Sequence, residues 1–342
     1  MKKLLNTLFI TTQGTYLHRD GETITVRKDD TVLLRVPIHT LQSIVCFGRV
    51  SLSSPLMGFC AESGILVSFL SETGEFWARV QGPVAGNVLL RRIHYRTADD
   101  PEQSAALAQA IIMAKVANCR TVLMRALRDQ KERNPEIEDV TERLGKALER
   151  LLAGQFLQDR LRGVEGECAS LYFSVFDALI VSQKSSFNFT VRSRRPPLDP
   201  VNALLSFVYT LLVHDITAAL ESVGLDPYVG FLHTDRPGRP SLALDLMEEF
   251  RPILADRLVL SLINRQQVTP DDFKRAENGA VLMNDAARRT VIQTWQKRKQ
   301  EEVRHPFMDE NAALGLFPYL QALLLARHLR GDLDAYPALV WR

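Results

Sequence analysis

The stretch from Gly230 to Arg251, GFLHTDRPGRPSLALDLMEEFR, holds the residue types best suited to chemistry in this chain. His233 follows the apolar pair Phe231-Leu232, then comes a Pro/Gly/Arg loop, then Asp245, Glu248 and Glu249 on an expected helix. Nitrogen and oxygen donors can converge there from a loop edge and one helix face, which is the composition of a divalent-metal site. The helix is expected to begin at Pro240-Ser241, with Ser241 as its N-cap. Leu246, Met247, Phe250, Ile253 and Leu254 fall on one stripe at helical spacing, and the three acids point away from it. Acids one turn apart repel one another unless water or a cation screens them. Pro252 lacks a backbone donor and should kink or end the helix. Taken alone, the acids also suit a solvated face near a helix N-terminus, and His233 also suits a loop or core position. The spacing is not a zinc fingerprint such as HExxH.

A second segment, Arg162–Phe173 (RGVEGECASLYF), supplies a further acid. Gly163 and Gly166 bracket Glu165, and small residues beside an acid let backbone or substrate approach closely. The alternative is a glycine-loosened helix start with Glu165 in its first turn. Tyr172, two turns on, could face the same site and contact DNA, or pack in the core with its hydroxyl bonded. Basic residues cluster at Arg192, Arg194 and Arg195 and at Arg236 and Arg239, which are candidate DNA contacts, and at Lys297–Lys299. Each cluster also suits a solvated surface, and the last also suits a helix C-terminus. Arg236 and Arg239 stand between the donor candidates, where a guanidinium could hold phosphate by charge-assisted hydrogen bonds.

These motifs come in a fixed order: an acid in an EG-containing helix with downstream aromatics, then DPVNALLSFVYTLL, then GFLHT and SLALDLMEEFRP. In that order the chain resembles the CRISPR-associated Cas-one family, the metal-dependent nucleases and integrases of CRISPR adaptation. The similarity runs over nearly the whole chain. It is most specific in Arg162–Phe173, Pro197–Leu212 and Gly230–Pro252, and among subtypes it is nearest to members from type I-C systems. The resemblance implies that Glu165, His233 and Glu248 are metal ligands and that Asp245 is a second acid of the catalytic group. Helical geometry does not distinguish Glu248 from Glu249; the family motif selects Glu248, three positions after Asp245. The resemblance also implies strand transfer joining a short DNA fragment into a CRISPR array, a homodimer, and a complex with the small Cas-two protein.

From the residues alone, the reading stops at metal-dependent phosphoryl transfer. Carboxylates with one imidazole suit Mg²⁺ or Mn²⁺, and zinc less, since no cysteine ligand is in view. Water as nucleophile would give cleavage, and a DNA 3′-hydroxyl would give strand transfer. The DNA would be double-stranded, branched or a fragment end. Two competitors are a metal-dependent hydrolase of a small phosphorylated substrate, with a closed pocket and no DNA affinity, and a non-enzymatic nucleic-acid-binding scaffold.

Elements must position these groups. The 342 residues suggest two domains, and a hydrophobic content of 46% is enough for ordinary cores. The expected fold is α+β, a small β-rich N-terminal domain followed by a larger all-α one. Residues 1–90 read as the β-domain, expected to build a dimer. Short strands are expected at Leu4–Thr11, Tyr16–Arg19, Thr23–Arg27, Thr31–Pro37 and Ser43–Phe47, with a helix at Ser53–Ser63 ended by Gly64. Ile65–Leu70 and Phe76–Val80 should form a hairpin around Ser71–Gly74. Residues 91–101, within Val88–Pro101, read as a linker, and residues 102–342 as the helical catalytic domain. Helices are expected at Ala105–Ala117, Val140–Leu157, Glu167–Ser182, Asn202–Ser222, Pro252–Arg265, Asp285–Gln300 and Leu316–Gly331.

A net charge of +2 does not by itself announce a nucleic-acid binder. Cys46, Cys60, Cys119 and Cys168 form no CxxC, which points to a reducing compartment. Met1-Lys2-Lys3-Leu4-Leu5 briefly mimics a secretory start but breaks at Asn6. No run in the sequence reads as the roughly 18 apolar residues of a membrane span. The expected location is the cytoplasm.

Overall fold

A computed structural model describes residues 7–41, 43–71, 76–80, 82, 88–129 and 132–341. They group into two compact units. The strand-rich unit holds the described residues up to Gly82, with Ile292–Glu302 and Ala313–Leu316. Its strands are β1 (Thr7–Ile10), β2 (Thr15–Asp20), β3 (Thr23–Lys28), β4 (Thr31–Pro37), β5 (Ser43–Phe47), β6 (Val50–Leu52), β7 (Leu66–Leu70) and β8 (Phe76–Val80). They form two four-stranded sheets, ordered β1-β5-β7-β8 and β4-β3-β2-β6. In the first, β1, β5 and β7 run parallel and β8 closes antiparallel on β7. Ser53 caps α1 (Ser54–Glu62) by accepting from the Leu56 N–H at 3.3 Å, and Gly64, at φ +69°, turns the chain out of it. Leu17, Ile24, Ile44, Leu56 and Val67 bury one shared core. The expected strands are present, with β6 an addition. The Leu4–Asn6 part of the first expected strand and the hairpin turn at residues 72–75 lie outside the described residues.

The helical unit holds the described residues from Val88 to Val291, with Val303–Ala312 and the chain from Phe317 onward. The expected linker is instead a helix, α2 (Val88–Asp99), whose Leu90, His94 and Thr97 are buried. Their spacing of three and four is that of one helix face. Then follow α3 (Pro101–Asp129), α4 (Pro135–Ala153), α5 (Gln158–Ser174), α6 (Pro200–Ser222) and α7 (Ser241–Phe250). A π turn (Arg251–Asp256) leads into α8 (Arg257–Asn264). Pro252 thus neither ends the helix nor simply bends it: with its donor missing, the chain takes the wider π winding for six residues. A small hairpin, β9 (Phe273–Arg275) and β10 (Val281–Met283), precedes α9 (Asp285–Gln300) and α10 (Phe317–Leu329). Residues of α9 from Ile292 on belong to the strand-rich unit, so that unit is not one continuous stretch of sequence.

The long α3 packs against α4, α5, α7 and the π turn, and so lies at the centre of the helical unit. Asp199 caps α6 by accepting from the Asn202 N–H at 2.8 Å, with Pro200 in the first turn; such a cap contributes about 1 kcal/mol. By length and composition α3 and α6 are apolar enough to cross a membrane, contrary to the sequence expectation, but 61% of each apolar window is buried inside the protein. A helix apolar on all sides can be a core helix as readily as a span.

Candidate metal centre

The centre is built from α3, α5, α7 and the loop before α7. That loop, Val229–His233, is held on both sides. On one side, Asp245 accepts from the backbone N–H of Phe231 (2.6 Å), Leu232 (2.9 Å) and His233 (2.9 Å). On the other, loop carbonyls accept from three helices. His94 Nε2 donates to Val229 O at 2.9 Å, Ser104 Oγ and Gln158 Nε2 donate to Phe231 O at 3.1 and 2.6 Å, and Arg162 Nε donates to Leu232 O at 3.2 Å. Close approach of loop and helix requires Gly230, because a Cβ there would meet Asp245 Oδ2 and Ser241 Cβ at 2.8 Å.

Asp245 Oδ1 also lies 2.6 Å from His233 Nδ1. A carboxylate at Nδ1 fixes the proton there and leaves the Nε2 lone pair to act as a ligand. Asp245 therefore orients His233 and the loop; its two oxygens are filled by these four contacts.

Glu165 and Glu248 come from different helices and meet on one cation. Lys115 Nζ, from α3, is paired with Glu165 Oε1 and lies 2.7 Å from Glu248 Oε2. Arg251 Nη1 takes the other Glu248 oxygen at 2.8 Å. The Lys115 and Glu248 side chains are 8% and 2% exposed, whereas Glu165 is 27% exposed and opens the centre to solvent. Burial alone would raise the Glu248 carboxyl, but Arg251 and Lys115 outweigh it and hold it down at about 2. Burial likewise works against the Lys115 charge, and Glu248 and then Glu165 outweigh it, raising the ammonium above its ordinary value. Beside Glu165, a Cβ built on Gly163 or Gly166 would meet nothing.

Two carboxylates sharing one cation, with an oriented imidazole on the adjoining loop, form a donor set that fits Mg²⁺ or Mn²⁺. The structure brings Glu165 and Glu248 together on Lys115, and His233 stands on the loop that Asp245 of the same helix as Glu248 holds. Among the described residues, no three His, Cys, Asp or Glu groups ring one point, and Lys115 is paired with both acids.

Several expectations change. The acids of α7 are not a solvated face: Asp245, Glu248 and Glu249 are all buried. Glu249 points away from Lys115 and accepts from Tyr336 OH (2.8 Å), Gln321 Nε2 (3.0 Å) and the Leu339 N–H (2.7 Å). Burial pushes its carboxyl up to about 7 even against those three donors. Ser241 is the first residue of α7 rather than its cap, and its hydroxyl donates to Thr234 O at 3.3 Å. Glu165 lies two turns inside α5 rather than in its first turn. Tyr172 is buried against Phe173 and Phe176, the core position rather than an exposed one. Arg192 is half-buried, bonded to Asn202 and Ser206 and stacked over Tyr209. Arg194, Arg195 and Arg236 are exposed and Arg239 is half-buried. Lys297–Lys299 form the last turn of α9, with Lys299 buried. All four cysteines are free and buried.

Lys115 and Arg251 were not singled out from the sequence. A signal existed for both: Lys115 is the one charge in the apolar run IIMAKVANC, and Arg251 sits three residues after Glu248.

The model of the family described as CRISPR associated protein Cas1 matches residues 8–297. A CRISPR-associated endonuclease Cas1 of Rhodospirillum rubrum is 56% identical, and one of Chlorobaculum tepidum 54% identical, each alignment covering 100% of both chains. Among solved structures, a chain of a Cas6-RT-Cas1–Cas2 complex superposes with a TM-score of 0.83 at 25% identity, covering 100% of this chain and 36% of that one.

Proposed function

Because the chain belongs to the CRISPR-associated Cas1 family, we propose that it is a metal-dependent DNA endonuclease and integrase of CRISPR adaptation, inserting short DNA fragments into a CRISPR array. The observation that carries the reading is the convergence of Glu165 and Glu248, from two helices, on one cationic position beside an imidazole held by Asp245. A small phosphorylated substrate would call for a closed pocket, whereas Glu165 opens to solvent. Exposed Arg236, with Arg239, flanks the centre on the same loop, and Arg194 and Arg195 offer further phosphate contacts.

Glu165, His233 Nε2 and Glu248 would hold the ion, with Mg²⁺ or Mn²⁺ matching the donor set. The chemistry such an ion supplies is neutralisation of the phosphodiester charge and stabilisation of the leaving alkoxide. The chain's own residues do the positioning. Asp245 keeps the His233 proton on Nδ1 and the loop against α7. Arg251 fixes the Glu248 carboxylate from the side opposite Lys115. Arg236 and Arg239 bring DNA phosphates toward the opening at Glu165. Attack by water cleaves, and attack by a DNA 3′-hydroxyl at the same phosphorus joins strands.

In the same reading the strand-rich unit builds a homodimer, Cas2 is the partner protein, the chain works in the cytoplasm, and it belongs with type I-C systems. The occurrence of a similar chain in a complex with Cas2 supports the partner. The experiment is incubation of the purified chain with linear and branched DNA, with and without Mn²⁺ and Cas2, at several salt concentrations. Metal-dependent cleavage and joining are expected. DNA binding with no metal-dependent turnover would favour a scaffold instead.

A further inference from the structure

Lys115 is a buried charge that the proposed phosphoryl transfer does not itself require. It sits on α3 among the buried residues Ile111, Ile112, Val116 and Cys119. A buried ammonium persists only where opposite charge and hydrogen bonds replace water. Here both are supplied by Glu165 and Glu248, the two acids read as metal ligands. Lys115, Arg251, Glu165 and Glu248 together sum to zero charge. Without Lys115, two carboxylates would face each other with only Arg251 to balance them, and like charges at that range repel strongly where water is scarce.

A divalent ion bound to Glu165 and Glu248 would take the oxygens that the ammonium now occupies. Two cations cannot share those atoms without repulsion. We infer that Lys115 is a built-in stand-in cation: it keeps Glu165 and Glu248 at bridging separation in the metal-free chain and leaves them when a divalent ion binds. The inference rests on the metal reading above. The exchange breaks two ion pairs and forms two carboxylate–metal contacts. The ammonium keeps its proton and is released toward the opening beside Glu165, where it can meet phosphodiester charge. Lys115 is thus a positioning residue, acting through the two acids. Its presence lets the centre fold before the metal arrives, unlike metal sites whose ligands are disordered without the ion.

The test uses the full chain. Mn²⁺ affinity by calorimetry and thermal unfolding with and without Mn²⁺ are compared for wild type, Lys115→Met and Lys115→Arg. Lys115→Met should unfold at lower temperature without metal, gain more from Mn²⁺, and bind it roughly tenfold tighter or more, a change of about 1.4 kcal/mol. Lys115→Arg, which keeps the competing cation, should not gain affinity. A purely structural lysine would give weaker metal binding on removal, not tighter. A second measurement needs only wild type: acetylation of Lys115 by an acid anhydride, read by mass spectrometry, should rise several-fold when Mg²⁺ saturates the centre. Unchanged or weaker Mn²⁺ binding by folded Lys115→Met, or Lys115 labelling indifferent to Mg²⁺, would overturn the exchange. If Lys115→Met does not fold, the labelling decides. Wild type that binds neither ion would overturn the metal reading, and the exchange with it.

Discussion

Asp245 accepts hydrogen bonds from three consecutive backbone N–H groups and lies against the His233 ring. Asp245→Ala would leave those donors buried and unpaired, at about 1–3 kcal/mol each. It should therefore lose stability and activity together, while Asp245→Asn should retain more of the fold than of the activity. Glu165→Gln and His233→Ala touch partly exposed groups and should abolish metal-dependent cleavage and joining while the chain stays folded, with a smaller loss of stability than Glu248→Ala. Glu248→Ala is different, because it takes the paired carboxylate from Arg251 and leaves Lys115 with Glu165 alone; loss of a buried partner costs about 3–5 kcal/mol. Asp256 gives a pH signature. Burial raises its carboxyl to about 6, offset in part by the Tyr209 hydroxyl at 2.6 Å and by Arg251; Tyr172 and Arg192 also face it. A carboxyl raised on folding stabilises the protonated native state, so its contribution is present below pH 3.8 and lost as pH rises to about 6. Asp256→Asn should flatten the pH dependence of unfolding across that window; an unchanged profile would show that Asp256 does not carry it. At this scale the family resemblance pointed to Glu165, His233 and Glu248, and the convergence of Glu165 and Glu248 on Lys115 could not be read from the sequence. The difference between Glu248 and Glu249 was not legible from spacing, because both lie one turn from Asp245 and only tertiary packing separates their surroundings.

At the scale of elements, α7 is gripped on two sides. Glu248 faces α3 through Lys115, while Glu249 faces the segment Tyr336–Trp341. Asn118, one turn along α3 from Lys115, donates to Glu249 O and Leu339 O, both at 2.8 Å, and accepts from the Trp341 N–H at 2.7 Å. The segment Tyr336–Trp341 thus braces the helix that carries Glu248, the proposed ligand. The sequence suggested that Glu249 was a surface charge whose removal would be nearly neutral. Its burial reverses that: Glu249→Ala leaves the Tyr336 hydroxyl and the Leu339 N–H without an acceptor, while Gln321 keeps Tyr336 OH and Pro337 O, and should cost several kcal/mol, by about 1–3 kcal/mol per stranded group. Equilibrium denaturation checks this, and a loss under about 0.5 kcal/mol, the range of a surface change, would contradict the burial. The elements legible in advance were those with local signals, such as α6 behind its Asp-Pro cap. The linker expected at Val88–Pro101 failed because its arginines masked a buried face at Leu90, His94 and Thr97. The winding around Pro252 needed the surrounding helices to decide between kink and π turn.

For the whole molecule, the order of a strand-rich unit before a helical one was legible from composition and periodicity. The return of Ile292–Glu302 and Ala313–Leu316 to the first unit was not, since no local pattern encodes contact across two hundred residues. Sedimentation of the full chain should show a dimer, as proposed for the strand-rich unit; a monomer at micromolar concentration would remove that proposal. DNA affinity should come from local arginines rather than from a net charge of +2, fall steeply with salt and vary little with sequence. In the proposed function, Glu165, His233 and Glu248 form one metal centre that joins DNA. It is tested most directly by strand transfer of a labelled DNA fragment into a CRISPR repeat target, with Cas2 present, comparing wild type and Glu165→Gln with and without Mn²⁺. Joined product is expected only for wild type with metal. Equal joining by folded Glu165→Gln, or joining by wild type after removal of all divalent ions, would contradict it.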